Sequence, residues 1–273
     1  MSFLDKASNV SQIACTMRRP PARWTCYVLV GLAVASAVVN RGATAASARL
    51  SSTMNASPPA GAIVLFDGSD LDAWVSQKDR HWEQSDGPAD WKILPDGSLE
   101  AVPGAGSLIT KQRFGDVRLH LEFRLLDRPT NGGVFLMARY ELGIQQMAHG
   151  DRPQAGAFEN LREPIRPRVP AALPALQWQK FDVDFRAPRL DENGNTAKPA
   201  RATVWLNGVL IHDEVQLGPR KGAAKRLDDS ATGPLMLQEH GTAYQFRNVW
   251  IVDESSKPGS DPIGTMATCP AIQ

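Results

Sequence analysis

Apolar and polar side chains alternate along several stretches of this sequence, most strictly from Val117 to Leu125. The same period of two returns from Trp178 to Arg186 and, more briefly, from Ala202 to Leu206. Successive side chains of a β-strand project to opposite faces, so this period indicates strands with one face in a core. No stretch of the sequence sustains the longer period of an α-helix. The pattern predicts an all-β protein.

Turn signals separate the predicted strands. Asn207-Gly208 lies between two apolar runs and gives the strongest hairpin signal, because both residues accept the positive φ angles of a two-residue turn. Pro95 to Ser98 and Asp191 to Asn195 are two further predicted turns. Roughly a dozen short strands separated by turns are typical of a β-sandwich or jelly roll. That architecture is therefore the predicted fold.

The first 48 residues have the features of a targeting element. Arg18, Arg19 and Arg23 precede an apolar run from Trp24 to Val39, and the small residues Ala43 to Ala48 follow at cleavage spacing. The run is shorter than the ~20 residues that comfortably span a bilayer. We therefore expect export to the periplasm or the extracellular space, with an uncleaved N-terminal anchor as the alternative.

The remainder divides by composition into three parts. Residues 49–61 are small, polar and proline-containing and are predicted to form a flexible linker. Residues 62–254 carry the strand pattern and form the predicted domain, and residues 255–273 are predicted to be a disordered tail. Inside the domain, Gly150 to Pro174 shows no periodicity and is predicted to be a long, functional or mobile loop.

Charge and motifs exclude several function classes. The 30 Lys and Arg residues nearly balance the 29 Asp and Glu residues, which leaves no basic face for nucleic acid. The sequence has no Gly-x-Ser-x-Gly elbow, no His-Glu-x-x-His motif and no paired-cysteine metal motif. Asp182 and Asp184 alternate on one strand, and we interpret them as acids on a solvated face. A serine hydrolase, a zinc protease and a nucleic-acid binder are all disfavoured.

Polar chemistry is densest between Asn131 and Asp151. Glu141 and Gln145 are separated by an even number of residues, so they project to the same face of a strand. A second cluster, Glu239-His240, lies between two predicted strands. From spacing alone, a surface glutamate and a turn histidine bonded to nearby backbone are alternatives to a catalytic role.

Several ordered blocks of this sequence resemble the 3-keto-disaccharide hydrolase domain family, formerly domain of unknown function 1080. The similarity extends from about Ile63 to Val252. The blocks that carry it are Leu65-Phe66-Asp67-Gly68, Asn131-Gly132-Gly133-Val134-Phe135-Leu136, Arg139-Tyr140-Glu141, Leu206-Asn207-Gly208 and Leu237-Gln238-Glu239-His240-Gly241. The resemblance implies a concanavalin-like jelly roll, export, and action on glycosides whose C3 hydroxyl has been oxidised to a ketone.

The implied reaction needs a base, an acid and groups that hold the sugar. A C3 ketone acidifies the C2 proton, so its removal gives an enolate that expels the group at C1. The resemblance makes His240 and Glu141 the expected catalytic residues, either of them as the base, with Glu239 in support. The expected substrate-binding residues are Arg139, which would position Glu141 or polarise an oxygen, and Tyr140, Gln145, Asn131, Arg124 and Gln238. No cofactor is expected, although a divalent metal is compatible with this chemistry.

The sequence departs from the family pattern at two positions. Relatives usually have Gln two residues after the Glu and Asp three residues later, whereas here Gly143 and Gln146 stand at those positions. Loss of the Asp weakens any role for a metal or a second carboxylate there. A non-catalytic, lectin-like glycan-binding module is therefore the alternative to an enzyme.

Overall fold

The computed structural model describes residues 54–78 and 83–255. Two large antiparallel sheets, of eight and seven strands, form nearly all of this part, and one turn of 3-10 helix lies at Ala223–Arg226. The prediction of an all-β, concanavalin-like jelly-roll sandwich is confirmed. Over these residues there is no helix of the length and apolarity needed to cross a membrane. The predicted targeting element, residues 1–48, and residues 256–273 of the predicted tail lie outside the described ranges.

Seventeen strands make up the described fold, and their bounds follow in chain order. They are β1 (Ile63–Phe66), β2 (Trp74–Gln77), β3 (Gly87–Pro88), β4 (Lys92–Ile93), β5 (Leu99–Glu100), β6 (Ser107–Phe114), β7 (Val117–Arg124), β8 (Thr130–Leu136), β9 (Tyr140–Gln146), β10 (Gln154–Phe158), β11 (Gln179–Arg186), β12 (Arg189–Leu190), β13 (Thr196–Lys198), β14 (Arg201–Leu206), β15 (Val209–Gln216), β16 (Gly233–Leu237) and β17 (Gln245–Asp253). Sheet A has the order β15-β14-β11-β7-β17-β5-β4, with β1 paired to β17. Sheet B has the order β10-β9-β8-β16-β6-β2-β3.

The core lies between the two sheets and is built from the alternation seen in the sequence. Leu121 and Phe123 of β7 are fully buried, and the Phe123 ring stacks on Phe181 of β11 at 4.9 Å. From sheet B, Leu142 enters the same apolar cluster, and the Tyr140 ring lies 5.8 Å from that of Phe185. The polar residues that alternate with these therefore face outward from each sheet.

Two features of sheet B differ from the sequence analysis. β8 and β9 are joined by a tight turn at Met137 and Ala138, which both have positive φ, at 55° and 52°. Such a turn normally carries Asn or Gly, so Met-Ala gave no signal. The predicted long loop also contains β10, which pairs with β9 at the sheet edge. Its small residues, such as Ala155 and Gly156, hid the alternation.

Asn55 and Ala56 contact the outer face of sheet A. The Asn55 amide is hydrogen-bonded to Glu122, and the Asn248 side chain donates to the Ala56 carbonyl at 3.0 Å. Ala56 is itself buried. These contacts hold two residues of the segment predicted to be a linker, and the flexibility of residues 49–61 stays a prediction.

The outer face of sheet A is a closed polar network. Asp182 accepts hydrogen bonds from the Lys180 ammonium at 2.9 Å and lies 2.6 Å from Nδ1 of His120. Glu122 pairs with Nε of Arg247 at 2.7 Å, and the Trp250 ring stacks over His120 at 4.8 Å. Asp182 is therefore buried and paired, which corrects its interpretation as a solvated surface acid.

Candidate functional site

The outer face of sheet B carries a row of polar side chains around a pair of glycines. The row consists of His240, Asn131, Gln145 and Glu141. β8 and β9 pair so that Asn131 is opposite Gln145 and Gly133 is opposite Gly143. At the next strand, the backbone amide of Gln238 donates to the Gly133 carbonyl at 2.9 Å. The two opposed glycines leave the floor of this row without side chains. Neighbouring side chains can therefore lie directly over the strand backbones.

His240 is held at one end of the row. Its Nδ1 atom lies 2.7 Å from the Asn131 amide nitrogen, and Gln145 donates to the Asn131 amide oxygen at 3.5 Å. His240 itself is exposed. Because Nδ1 contacts Asn131, Nε2 is the ring nitrogen left for a ligand. The structure thus brings together three residues that the sequence analysis assigned to the site.

The Glu141 side chain lies over Gly133. A Cβ atom at Gly133 would be only 2.9 Å from Cγ of Glu141 and 3.1 Å from its Oε1, so this side chain needs glycine beneath it. Asn160 fixes the strand there, since it accepts from the Glu141 amide at 3.0 Å and donates to the Arg139 carbonyl at 2.6 Å. The backbone at Glu141 is therefore held from the side by a single asparagine.

The pKa of Glu141 is raised to about 7. Burial is the main cause, the negative charge of Glu159 adds to it, and Lys221 opposes it. A carboxyl with such a pKa is protonated in about half of the molecules at neutral pH and can donate or accept a proton. This is the range expected of a general acid or base.

Tyr244 lies beneath the polar row, on the core side of sheet B, and contacts β8 and the end of β16. It was not identified from the sequence. Its hydroxyl donates to the Gln238 carbonyl, and a Cβ atom at Gly132 would collide with its ring. The pKa of Tyr244 is raised, first by complete burial and then by the negative charges of Glu141 and Glu239. Its position opposite Gly132 is a tertiary contact that the sequence pattern does not reveal.

Two polar groups near His240 behave differently. The Glu239 carboxylate is hydrogen-bonded to the Gly241 amide, and its own backbone amide donates to Ser107 Oγ at 3.0 Å. Glu239 thus stabilises its turn. By contrast, the buried Oε1 atom of Gln238 has no hydrogen-bond partner within the part of the chain that the structure describes. It is a covered acceptor that the described residues leave without a donor.

Three expected binding residues lie elsewhere. The buried Arg139 guanidinium contacts Glu83 and donates to the Asp228 carbonyl at 3.1 and 2.8 Å, so it does not orient Glu141. Tyr140 is buried in the core. Arg124 lies on sheet A, where its guanidinium stacks on Trp178 at 4.6 Å. The structure separates these three residues from the cluster on sheet B.

Glu159 is a carboxylate that the sequence analysis missed. It follows β10, and its Cγ would lie 2.9 Å from a Cβ atom at Gly143. Its Oε1 accepts from Arg166 at 2.9 Å. Beside it lies a cleft of about 370 Å³, lined by Gly143, Pro167, Pro170 and other residues of the β9–β10 edge. That volume is within the range of small-molecule sites.

Residues 54–78 and 83–255 contain no group of three or more His, Cys, Asp or Glu side chains arranged to hold a metal ion. The carboxylates of the sheet B cluster are instead distributed among three segments, with Glu141 on β9, Glu159 after β10 and Glu239 after β16.

The sequence matches the family model of the 3-keto-alpha-glucoside-1,2-lyase-like domain over residues 61–252. The chain belongs to this family. The match covers the whole described sandwich except a few terminal residues. It confirms the resemblance drawn from the ordered sequence blocks.

Solved structures are similar to this member of the 3-keto-alpha-glucoside-1,2-lyase-like family. A crystal structure of a candidate glycosyl hydrolase from Parabacteroides distasonis has 26% sequence identity and a TM-score of 0.57, covering 71% of this chain and 84% of that one. A second candidate glycosyl hydrolase from the same organism shares the fold, with 17% identity and a TM-score of 0.50 over 71% and 94% of the two chains. Among curated proteins, no match was found.

The two departures from the pattern of this family differ in their meaning. Gln146 is buried on the opposite face of β9 from Glu141 and donates to Asp127 at 2.8 Å, so its identity does not alter the cluster. Gly143 does lie on the cluster face, directly opposite Gly133. Gln146 therefore stabilises the loop that contains Asp127, whereas Gly143 changes the shape of the site.

Proposed function

We propose that the protein cleaves glycosides that carry a ketone at C3. Family membership and the similarity to a candidate glycosyl hydrolase support a carbohydrate-active function with a small sugar as substrate. In the proposed reaction the C2–H bond and the C1–O bond break, and a C1=C2 double bond forms beside the ketone. Water then adds across that bond, with its hydroxyl on C1 and a proton on C2.

The observation that carries this proposal is the arrangement of His240, Asn131 and Glu141 on one face of sheet B. Asn131 can present its amide oxygen or nitrogen to the ring. In the observed arrangement, the amide nitrogen faces Nδ1, so Nδ1 accepts. When the amides of Asn131 and Gln145 are both turned over, the Asn131 oxygen accepts the proton of Nδ1 and Nε2 is left as the base for the C2 proton. Glu141, partly protonated at neutral pH, then donates its proton to the departing oxygen.

The remaining polar groups would hold the sugar. Asn131 and Gln145 present amides beside His240. Such groups align the substrate so that C2 faces the base, and alignment contributes to the rate without any proton transfer. Glu239 supports the turn that carries His240.

Turnover of 3-keto-lactose or 3-keto-trehalose by the purified protein tests the proposal. His240→Ala and Glu141→Gln should each lower turnover by at least ~10²-fold, the scale of general acid–base catalysis. Matched controls are His149→Ala, at an exposed histidine paired with Asp127, and Glu163→Gln, at an exposed glutamate. Wild-type turnover in both His240→Ala and Glu141→Gln would overturn the assignment.

A glycan-binding module without catalysis is the second candidate. The exposure of His240 and the replacement of a family glutamine by Gly143 favour it. Saturable binding of the 3-keto-disaccharide, with no free sugar released over hours, would support this alternative. Release of free sugar supports the enzyme.

Export is proposed from residues 1–48 alone, since their composition is that of a targeting element. Fractionation of cells that express the full chain provides the test. Protein found only in the cytoplasmic fraction would contradict the proposal.

A further inference from the structure

Gly143 leaves a space on the cluster face of β9, and the Glu159 side chain occupies it. The Glu159 side chain lies where a Cβ atom at Gly143 would project, with Cγ only 2.9 Å from that position. Since Gly133 makes the same room for Glu141, two opposed glycines accommodate two carboxylate side chains. Glu141 reaches this face from β9, and Glu159 reaches it from the turn after β10.

Glu159 is held in this place by its neighbours. Its side chain is only 19% exposed, and its Oε1 accepts from Arg166 at 2.9 Å. The next residue, Asn160, is bonded to the backbone of β9 on both sides of Tyr140. The backbone that carries Glu159 is therefore fixed relative to Glu141.

We infer that Glu159 is a positioning residue, placed beside Glu141 by the absence of a side chain at Gly143, that keeps the Glu141 carboxyl protonated for delivery to the leaving oxygen. Two carboxylates close together in a partly buried site resist being ionised at once, so one of them retains a proton. Arg166 forms an ion pair with Glu159, whereas the described residues offer Glu141 no hydrogen-bonded cation, so we place the retained proton on Glu141. Delivery to the leaving oxygen rests on the proposed function, whereas the shared proton does not.

Charged and titratable groups from three segments surround this pair of carboxylates. Glu159 after β10 and Lys221 after β15 act on Glu141 itself, and Arg166 pairs with Glu159. Between β16 and β17, Tyr244 is affected by the charges of both Glu141 and Glu239, and His240 contacts Asn131. Lys221 lowers the pKa of Glu141, but burial and Glu159 outweigh it. Arg139, in the turn just before β9, is directed to Glu83 and Asp228.

The cleft beside Gly143 suggests how a disaccharide would be oriented relative to Glu141 and His240. It lies on the Glu159 side of the row, away from His240, and its walls include Pro153, Pro167 and Pro170. Its volume of about 370 Å³ accommodates a sugar ring. A leaving sugar in this cleft would have its oxygen on the acid side of the site, while the oxidised ring faces His240.

Titration of the substrate-free protein tests the proton sharing directly. With ¹³C-labelled glutamate, the Glu141 carboxyl signal is assigned by its loss in Glu141→Gln. We expect Glu159→Gln to lower its titration midpoint by on the order of one pH unit. Gly143→Ala should do the same by displacing the Glu159 side chain, and its backbone φ requires no glycine. Glu163→Gln, at an exposed glutamate in the same loop, should leave the midpoint unchanged.

An unchanged or higher midpoint in folded Glu159→Gln and Gly143→Ala would overturn the inference. In active enzyme, the alkaline limb of the kcat profile should move to lower pH in both variants and stay in place in Glu163→Gln. Absence of turnover on 3-keto-disaccharides by wild type would count against the proposed function alone. The titration result would stand independently of that outcome.

Discussion

The two outer faces of the sandwich carry similar residues in opposite circumstances. On sheet A, His120 and Glu122 are fully buried and have charged partners on the neighbouring strands. On sheet B, His240 is exposed and Glu141 lies beside another carboxylate. The comparison teaches that pairing and cover, rather than residue type, decide whether a histidine–glutamate cluster stabilises the fold or is available for chemistry.

The pKa values of the two glutamates express this difference. Burial alone would raise the pKa of Glu122, but hydrogen bonds from His120 and Arg247 outweigh it and hold that pKa at about 2. Burial raises the pKa of Glu141 as well, and there the described residues supply no hydrogen-bonded cation, so only the weaker effect of the Lys221 charge opposes it. The charge on sheet A is therefore stabilised by the fold, whereas the charge on sheet B is opposed by it.

Removing one member of the closed network should have the largest effect on stability. Asp182→Ala leaves the Lys180 ammonium and His120 buried without their shared carboxylate, and we expect it to cost about 3–5 kcal/mol in the free energy of unfolding. Urea denaturation measures this. Asp184→Ala, two residues along the same strand, should cost far less, because burial already raises the pKa of Asp184. Equal losses would break the comparison.

Neutralising the two glutamates should change stability in opposite directions. At pH 8, Glu122→Gln should lower the free energy of unfolding by roughly 2–3 kcal/mol, since it removes a carboxylate that the fold stabilises. Glu141→Gln should raise it by a similar amount, roughly 2–3 kcal/mol, because it removes a charge that burial opposes. Denaturation of both variants at pH 8 gives the signs. Two losses of similar size would mean that the faces are equivalent.

One group on each outer face should contribute to the pH dependence of wild-type stability. Glu141, with a raised pKa, makes stability fall as pH rises from 4.5 to about 7, and Glu141→Gln should remove that slope. The pKa of His120 is raised because hydrogen bonds to Asp182 and Glu122 outweigh its burial. Its contribution is present below pH 6.5 and is lost as pH rises through the raised value. His120→Gln should flatten only this upper part, by at most ~1.4 kcal/mol per pH unit.

Strand positions with clear alternation were predictable, and contacts between distant segments were not. β7 and β11 and the Asn207-Gly208 turn follow from local sequence, because each residue's face or φ angle is set within a few residues. The Met137-Ala138 turn could not be predicted, because its residue types do not indicate positive φ angles. Asp182 was misread because the burial of an outer strand face depends on what covers it.

The candidate site shows the same limit. The resemblance identified His240, Asn131, Gln145 and Glu141, which the fold brings to one face. It also suggested Arg139, whose partners come from segments that no strand period links to it. Glu159 could not be found in this way, because its relation to Glu141 passes through the space above Gly143 and has no counterpart in the sequence pattern.

The contacts of Asn55 and Ala56 have a practical consequence for handling the protein. They fix the start of the described chain on the outer face of sheet A, while the candidate site opens from sheet B. A biotin tag joined ahead of residue 54 would therefore emerge from the side opposite the site. Protein captured on a sensor chip through such a tag would present Glu141 and His240 to the flowing sugar.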